Sequence, residues 1–308
     1  MVDLRVQLAP SHTRGLLLAN PVMTAAGTFG YGIEYNELAD IQRLGAIVCK
    51  GTTLKPWEGN PQPRLVETAS GLLNSVGLQN IGVEAVVKDK APVWAGWQVP
   101  VIVNIAGETV EEYAKVAARL EGVRGISGIE VNISCPNVAS GGMEFGTNPK
   151  AAAEVTTAVK AVSSLPVMVK LSPNVTDIGE IASAVGKAGA DAITLINTVR
   201  GMAIDANRDK PCLGNIVGGL SGPAIKPIAL YAVYKVAGIV DVPIIGCGGI
   251  SCAGDALEFI MAGASAVQVG TANLTNPQAA LDVLEGIEQF MRARGIQSLK
   301  DITGIARV

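Results

Sequence analysis

Short runs of β-branched and other apolar residues recur eight times along the sequence, and stretches with helical periodicity separate them. The runs fall at residues 22–25, 46–50, 101–104, 128–133, 167–171, 192–197, 243–247 and 266–270. They are almost continuously apolar, as the strands of a parallel sheet covered on both faces are. Eight strand–helix repeats in 308 residues predict an α/β fold, a (β/α)₈ TIM barrel. An open doubly wound sheet is the alternative.

The segments between these runs indicate how the barrel is completed. Amphipathic stretches that predict helices lie at residues 109–120, 149–162, 177–188, 223–236, 253–261 and 277–294. Residues 4–19 alternate polar and apolar positions around Gly15, which predicts a hairpin that closes the barrel floor. We expect excursions after strands 2, 4 and 6. We also expect one domain over residues 1–308, because no linker or change of composition interrupts the repeats.

The composition excludes several classes of protein. Apolar residues make up 49% of the chain and charged residues 17%, which is incompatible with a disordered chain. The net charge is −3 and no basic run is present, so we expect no nucleic-acid partner. The sequence has neither an N-terminal signal pattern nor an apolar run of about 18–20 residues. We therefore expect a cytoplasmic protein without a membrane segment.

The titratable residues restrict the chemistry. The single histidine, His12, lies in a polar N-terminal stretch, so a Ser-His-Asp triad and a multi-histidine zinc site are both excluded. An acid or base must then be Cys, Lys, Asp, Glu or Tyr. The five cysteines are odd in number and form no CxxC pair, which indicates reduced thiols. We expect no metal site, and no iron–sulfur cluster held by this chain alone.

Polar residues lie near the ends of five predicted strands: Lys50, Asn104, Asn132, Lys170 and Asn197. Barrel active sites lie at the carboxyl ends of the strands. One such residue alone could simply bond a neighbouring loop. Two lysines and three amides together predict a site for a polar, anionic ligand, because a lysine beside the core needs a compensating anion and a buried amide needs several partners.

Glycine turns follow the seventh and eighth predicted strands, at Gly248-Gly249 and Gly270-Thr271. The loops after these two strands form the usual phosphate site of a barrel, where backbone N–H groups bind the anion. The alternative is that these glycines only make tight turns. The adjacent positions of the two turns favour a phosphorylated cofactor or substrate.

Cys135 follows the fourth predicted strand by one or two residues and precedes a glycine-rich loop that reaches about residue 148. A free thiol has a pKa of about 8.5, so it can act as a base near neutral pH. The alternative is a small buried apolar residue, which is how we interpret Cys49 and Cys247. A second polar segment, residues 73–80, combines amides with Gly77, which permits close approach of the backbone to a ligand.

Four segments together resemble class 1 dihydroorotate dehydrogenases. These are Asn-Ile-Ser-Cys-Pro-Asn at 132–137, Asn-Ser-Val-Gly-Leu-Gln-Asn at 74–80, Val-Lys-Leu-Ser-Pro at 169–173 and Ile-Gly-Cys-Gly-Gly-Ile at 245–250. The resemblance covers essentially the whole chain, and cysteine rather than serine at position 135 separates it from the membrane-bound class 2. Residues 196–202 and 218–224 resemble subclass 1B.

The resemblance implies oxidation of (S)-dihydroorotate to orotate in de novo pyrimidine (UMP) biosynthesis by a flavoprotein with one FMN per chain. Subclass 1B implies a homodimer of catalytic subunits joined to a partner subunit that carries FAD and a [2Fe–2S] cluster, a heterotetramer that reduces NAD⁺. A fumarate-dependent class 1A enzyme and a flavin domain like that of dihydropyrimidine dehydrogenase remain alternatives. Two further alternatives come from other classes of protein. One is a Schiff-base lyase or aldolase that uses Lys170 or Lys50, and the other is a non-catalytic barrel that binds a phosphorylated ligand.

The resemblance also implies roles for individual residues. Cys135 would take the C5 proton of dihydroorotate while the C6 hydride goes to flavin N5, and Lys50 would contact both flavin and substrate. The substrate would be held by Lys50, Asn74, Ser75, Val76, Gly77, Leu78, Asn132, Asn197 and Thr198. The flavin would be held by Ala26, Gly27, Lys50, Gly51, Asn104, Asn132, Lys170, Ile196, Gly222, Gly248, Gly249, Gly270 and Thr271.

Overall fold

The computed structural model describes residues 2–134, 136–137 and 143–308, and an eight-stranded parallel sheet forms its centre. In chain order the strands are β1 (Val22–Thr24), β2 (Ile47–Val48), β3 (Val101–Ile105), β4 (Gly128–Asn132), β5 (Val167–Leu171), β6 (Ala192–Leu195), β7 (Ile244–Cys247) and β8 (Ala266–Val269). Each strand pairs with its successor from β2 to β8, and β8 pairs with β1.

The sheet closes between β1 and β2, where Met23 and Ala46 form a parallel bridge. The buried Thr24 hydroxyl adds to this seam, because it accepts a hydrogen bond from the Val48 N–H at 3.1 Å. The predicted (β/α)₈ barrel is therefore confirmed. The alternative of an open sheet is wrong, since closure leaves neither β1 nor β2 as a free edge.

The helices lie around this sheet: α1 (Gly82–Ala85), α2 (Ala91–Trp94), α3 (Val110–Leu120), α4 (Pro149–Val162), α5 (Ile178–Lys187), α6 (Lys226–Val236), α7 (Ala253–Ala262), α8 (Ala272–Thr275) and α9 (Ala279–Ala293). A π-helical segment, Val86–Lys90, joins α1 to α2. Side chains of Thr109, Asn148 and Asp177 accept backbone N–H groups at the starts of α3, α4 and α5. Helix α6 begins at Lys226 because residues 223–225 form a 3₁₀ turn. In the described part of the chain no helix is long and apolar enough to cross a membrane.

A hairpin precedes the barrel. Val6–Gln7 pairs antiparallel with Leu17–Leu18, and the Gln7 Oε1 accepts hydrogen bonds from the N–H groups of Ala9 and Leu16. The buried Leu18 leads within four residues into the amino end of β1, so the hairpin adjoins that end of the barrel.

The connections after β2 and β6 build a second, antiparallel sheet. Its strands, in spatial order, are Val199–Gly201, Gly218–Ser221, Gly71–Asn74 and Leu65–Thr68, and we call it the mouth sheet. Two short pairs accompany it: Ile204–Asp205 with Lys210–Pro211, and Pro136–Asn137 with Met143–Glu144. Because both parent strands end at the carboxyl side of the barrel, the mouth sheet brings distant segments to that side.

Candidate active site

Asn132 ends β4 and Asn197 follows β6, and their side chains meet. The Asn197 Nδ2 donates to the Asn132 Oδ1 at 3.1 Å and to the Ser134 Oγ at 3.0 Å, while its Oδ1 accepts the Thr198 N–H at 2.8 Å. The Tyr113 hydroxyl donates to the Asn132 carbonyl at 2.6 Å. Since the Asn132 Oδ1 also accepts the Ser134 N–H, its NH₂ group is the part of that side chain a ligand can use.

The mouth sheet adds Asn74 to this group. The Asn74 Nδ2 donates to the Gly219 carbonyl at 3.2 Å. Gly219 also lies against Thr198, because a Cβ atom placed on Gly219 would lie 2.0 Å from the Thr198 Oγ1. Residues 74, 132, 197 and 198 are therefore neighbours. We call Asn74, Asn132, Ser134, Asn197 and Thr198 the amide cluster.

The turn after Asn74 is held in an unusual backbone conformation. Gly77 and Leu78 both have positive φ angles, +71° and +56°. The Asn80 side chain stabilises the turn, because its Nδ2 donates to the Leu78 carbonyl at 2.7 Å. Ser75 is buried and its Oγ accepts from the Asn60 Nδ2 at 3.0 Å.

This turn passes over the end of β3. A Cβ atom on Gly51 would lie 3.2 Å from the Leu78 Cδ2 and 3.1 Å from the Asn104 Oδ1. The Leu78 side chain and the Asn104 amide therefore both lie against Gly51, and an added Cβ atom would require one of them to shift. Val76 is half-buried, and its carbonyl accepts the Asn60 N–H at 3.1 Å.

Lys50 follows β2 and is half-buried. Burial lowers the pKa of its ammonium group, Arg64 lowers it further, and Glu34 opposes both. A partly desolvated ammonium group at the mouth of the barrel is stabilised by an anion, so Lys50 suits a carboxylate or an electron-rich ring.

Lys170 lies on β5 inside the barrel and is buried. Its Nζ donates to the Gln268 Oε1 at 3.1 Å and to the Cys247 Sγ at 3.6 Å. Burial alone lowers the pKa of Lys170, but the Cys247 sulfur and the Glu130 carboxylate outweigh burial and raise it. A protonated amine cannot attack a carbonyl, so this environment disfavours a Schiff-base role for Lys170.

The glycine turns after β6, β7 and β8 lie close to one another. Gly222, Gly248 and Gly249 have positive φ angles of 89°, 131° and 76°. A Cβ atom on Gly249 would lie 2.7 Å from the Lys226 backbone nitrogen, which packs the turn after β7 against the start of α6. The Thr271 hydroxyl donates to the Ser221 Oγ at 2.8 Å and so joins the loops after β8 and β6.

The remaining predicted cofactor residues lie beside these turns. A Cβ atom on Gly270 would lie 3.2 Å from the Ala25 Cβ, next to Ala26. Gly27 has a φ of +89°, and a Cβ atom there would meet nothing within 4 Å, so the space beside it is open. The Ile196 N–H donates to the Cys247 carbonyl at 2.7 Å, which ties the end of β6 to β7.

Cys135 lies outside the described residues, between Ser134 of the amide cluster and Pro136. Among the residues that the structure describes, no group of three or more His, Cys, Asp and Glu side chains could hold a metal ion. The sequence reasoning missed three polar residues of the barrel interior, Glu130, Thr194 and Gln268. A signal was available, because each interrupts an otherwise apolar strand.

The family model described as dihydroorotate dehydrogenase matches residues 9–291. Three similar proteins carry the description "dihydroorotate dehydrogenase B (NAD(+)), catalytic subunit". That from Desulforamulus reducens is 58% identical over 94% of this chain and 96% of its own, and that from Alkaliphilus oremlandii is 57% identical over 95% and 97%. The third, from Geotalea daltonii, is 52% identical over 99% of both chains.

The fold and the site define a (β/α)₈-barrel enzyme with a polar ligand site at the carboxyl ends of its strands. The chain belongs to the dihydroorotate dehydrogenase family. It is therefore an oxidoreductase, and its reaction is the oxidation of dihydroorotate to orotate in pyrimidine biosynthesis.

Proposed function

We propose that this chain binds one FMN and oxidises (S)-dihydroorotate, with electrons leaving through a partner subunit to NAD⁺. The observation that carries the proposal is the placement of two different sites at one end of the barrel. The amide cluster suits a planar ring with carbonyl and N–H groups, and the glycine turns after β6, β7 and β8 suit a phosphate. A flavin mononucleotide beside a pyrimidine needs both.

The residues present fit FMN. Gly222, Gly248 and Gly249 have positive φ angles, and a Cβ atom on each would clash with the protein's own atoms, so glycine permits these turns. Their backbone N–H groups, together with Gly270 and Thr271, would hold the phosphate. Ala26, Gly27, Gly51 and Ile196 would line the ring, with the Asn104 and Asn132 amides at its polar edge. Lys170 would place a positive charge near the ring, which favours the charge that develops on reduction. When bound, FMN supplies the acceptor for the C6 hydride.

The amide cluster would hold the substrate. Asparagine side chains offer both a donor and an acceptor, which matches the alternating N–H and carbonyl groups of a pyrimidine dione. The Asn132 NH₂ group is free of the bonds that engage its Oδ1, and Asn197 is fixed by Asn132 and Ser134. Lys50 would attract the orotate carboxylate, and Ser75, Val76, Gly77 and Leu78 would close over the ring.

Cys135 would be the base. Its sulfur would accept the proton from C5 of dihydroorotate while the C6–H bond breaks and its electron pair leaves as hydride, so that the C5–C6 double bond of orotate forms. The neighbouring Ser134 is fixed in the amide cluster by Asn197.

The relatives' description as catalytic subunits supports a separate electron-transfer partner. We propose that this partner carries FAD and a [2Fe–2S] cluster, and that two catalytic chains and two partner chains assemble into a heterotetramer. We place the assembly in the cytoplasm, because five cysteines without a framework spacing suit a reducing compartment.

The test is a spectral titration of the purified chain. We expect a yellow protein that releases FMN on denaturation, and whose absorbance bleaches on anaerobic addition of dihydroorotate. Orotate should bind more tightly than uracil, because only orotate offers Lys50 a carboxylate. A chain that cannot bind FMN would rule out the proposal, and a preference for uracil would favour a dihydropyrimidine dehydrogenase-like activity instead.

A further inference from the structure

We propose that Glu130, which lies inside the barrel on β4 and would not touch the substrate, is the positioning residue of the flavin site. In this role it keeps Lys170 charged and fixes the direction of the Asn104 amide. The inference rests on the proposed FMN site, because both residues would contact that cofactor. No sequence motif of the site contains Glu130, and its role follows from contacts among five strands.

The Glu130 carboxylate is fully buried and surrounded by donors. Its Oε1 accepts a hydrogen bond from the Asn104 Nδ2 at 2.8 Å. Its Oε2 accepts hydrogen bonds from the Thr194 hydroxyl at 2.9 Å and from the Nε2 of Gln268 on β8 at 2.6 Å. An ionised carboxylate has only acceptors, so three donors satisfy it. This geometry holds a negative charge in the barrel interior, where unpaired charge is costly.

Gln268 is the β8 amide and connects this charge to Lys170. Its Oε1 accepts from the Lys170 Nζ at 3.1 Å, and its Nε2 donates to Glu130 at 2.6 Å. Only one orientation of the amide satisfies both neighbours, because an ammonium group requires an acceptor and a carboxylate requires a donor. The two charges are thus linked by a single polar side chain, with no water needed between them.

Glu130, Gln268 and Lys170 form one hydrogen-bonded network, and the other titratable groups that face this network are thiols. Cys247 contacts the Lys170 Nζ at 3.6 Å, and Cys49 lies near Glu130. Burial raises the pKa of Cys247, and it raises that of Cys49 to about 12, so near pH 7 both are neutral thiols and Cys247 acts on Lys170 as a hydrogen-bond acceptor, not as a charge. Of the groups in the described ranges that face Lys170, Glu130 is then the one that carries a negative charge.

Two consequences for the flavin site follow. A buried ammonium group without a counter-charge loses its proton, so without Glu130 the positive charge of Lys170 would be lost at moderate pH. The bond from the Asn104 NH₂ to Glu130 also turns the Asn104 Oδ1 towards Gly51, where a Cβ atom would lie 3.1 Å from it. Glu130 therefore determines both a charge and the direction of an amide at the ring.

The test uses the variant Glu130→Gln, which keeps the shape of the side chain and removes its charge. FMN affinity of the apoprotein and the flavin midpoint potential are measured from pH 6 to pH 10. For the unaltered chain we expect no ionisation of Lys170 in this window. For the variant we expect Lys170 to lose its proton within this pH range. At pH values above the pKa of Lys170, FMN affinity should fall by up to about tenfold per pH unit.

The double variant Glu130→Gln/Lys170→Met should lack that ionisation, which assigns it to Lys170. Glu121→Gln is the matched control, because Glu121 is also held by hydrogen bonds from Ser163 and Ser164 but does not contact the network. Its pH profiles should match those of the unaltered chain. If the Glu130→Gln profiles also have the unaltered shape, Glu130 does not control the charge of Lys170 and the proposal is wrong.

A measurement on the unaltered chain covers the case in which Glu130→Gln does not fold. The ¹³Cε resonance of Lys170 in protein with labelled lysine, assigned by its loss in Lys170→Met, should keep the shift of an ammonium group up to pH 10. Deprotonation below pH 10 would overturn the proposal. This measurement needs no flavin, so it separates failure of the Glu130 inference from failure of the proposed FMN function.

Discussion

Asn197 shows how much of the site depends on single side chains. Its amide donates to Asn132 and Ser134 and accepts from the Thr198 N–H, so it joins the ends of β4 and β6. The roles of its two amide ends are set by these partners rather than by its own sequence neighbours. Removing the side chain would leave the Asn132 Oδ1 with one donor fewer and release the strand ends from each other.

We expect Asn197→Ala to weaken orotate binding by about 10- to 100-fold, because each lost bond to a charged or polar ligand group costs about 1.5–3 kcal/mol. FMN should stay bound. The measurement is an orotate titration followed by the flavin spectrum, with the exposed Asn207→Ala as the control. Unchanged orotate affinity would remove Asn197 from the substrate site.

We expect Cys135→Ser to retain FMN but to reduce it about 100- to 10,000-fold more slowly with dihydroorotate near pH 7, because serine is a much weaker base than cysteine. Anaerobic stopped-flow bleaching of the flavin measures this rate. Cys212→Ser serves as the control, since Cys212 lies in the excursion after β6 and has no role in the proposed reaction. Equal rates for both variants would contradict a base role for Cys135.

At the scale of elements, two features hold the site in place: the seam that closes the barrel and the mouth sheet that covers it. β1 and β2 share one backbone bridge, and the Thr24 hydroxyl adds a side-chain bond to Val48. The mouth sheet joins the connections after β2 and β6 through the pairing of Gly71–Asn74 with Gly218–Ser221. Both features act between segments far apart in sequence.

We expect Thr24→Val to destabilise the protein by about 1–3 kcal/mol, because it leaves the buried Val48 N–H without its acceptor. Thr24→Ser, which keeps the hydroxyl and loses a methyl group, should destabilise it less. Urea unfolding of the two variants measures the difference. Valine is closer in volume to threonine than serine is. If Thr24→Val proved more stable than Thr24→Ser, packing rather than the hydrogen bond would stabilise the seam.

We expect Gly219→Ala to weaken orotate binding by about 10- to 100-fold while FMN binding persists. A Cβ atom there would lie 2.0 Å from the Thr198 Oγ1, so Thr198 must move, which would displace it from the proposed substrate site. Gly186→Ala is the control, because the nearest atom to its Cβ would be the Val240 Cγ1 at 3.9 Å. Orotate titration of both variants decides whether the mouth sheet positions Thr198.

At the scale of the whole molecule, the barrel collects at one end the residues that the proposed reaction needs. The amide cluster, the glycine turns and Lys170 come from strands and loops spread over residues 74–271. Among the described residues, no candidate for an iron–sulfur cluster or other metal site accompanies them. In the proposed function, electrons leave the flavin for an acceptor outside this chain.

We expect the isolated chain to reduce NAD⁺ slowly with dihydroorotate, and to do so efficiently once an iron–sulfur, FAD-containing partner subunit is added. The measurement is NADH absorbance under anaerobic conditions, with fumarate tested in parallel as acceptor. Efficient NAD⁺ reduction by the isolated chain would contradict the proposed division of labour. Efficient fumarate reduction would favour a class 1A-type enzyme.

The sequence predicts the strands well where burial is continuous. The run at 167–171 is the strand Val167–Leu171, whose residues are all buried. The run at 46–50 shortens to Ile47–Val48, and the run at 192–197 ends at Leu195. In both runs the strand ends before the polar residue, because Lys50 and Asn197 lie at the carboxyl side of the barrel and not within the sheet. Apolar periodicity cannot separate a strand from the loop residue that extends it.

The sequence by itself determined the fold class, the family and most of the residues at the carboxyl ends of the strands. These depend on local patterns, namely apolar runs, glycine turns and short motifs. Only the tertiary structure decided which polar groups meet. Glu130 contacts Asn104, Thr194 and Gln268 because the sheet closes and turns their side chains inward from four strands. Closure is a contact between distant segments, so the partners of a buried charge cannot be predicted from its neighbours in the chain.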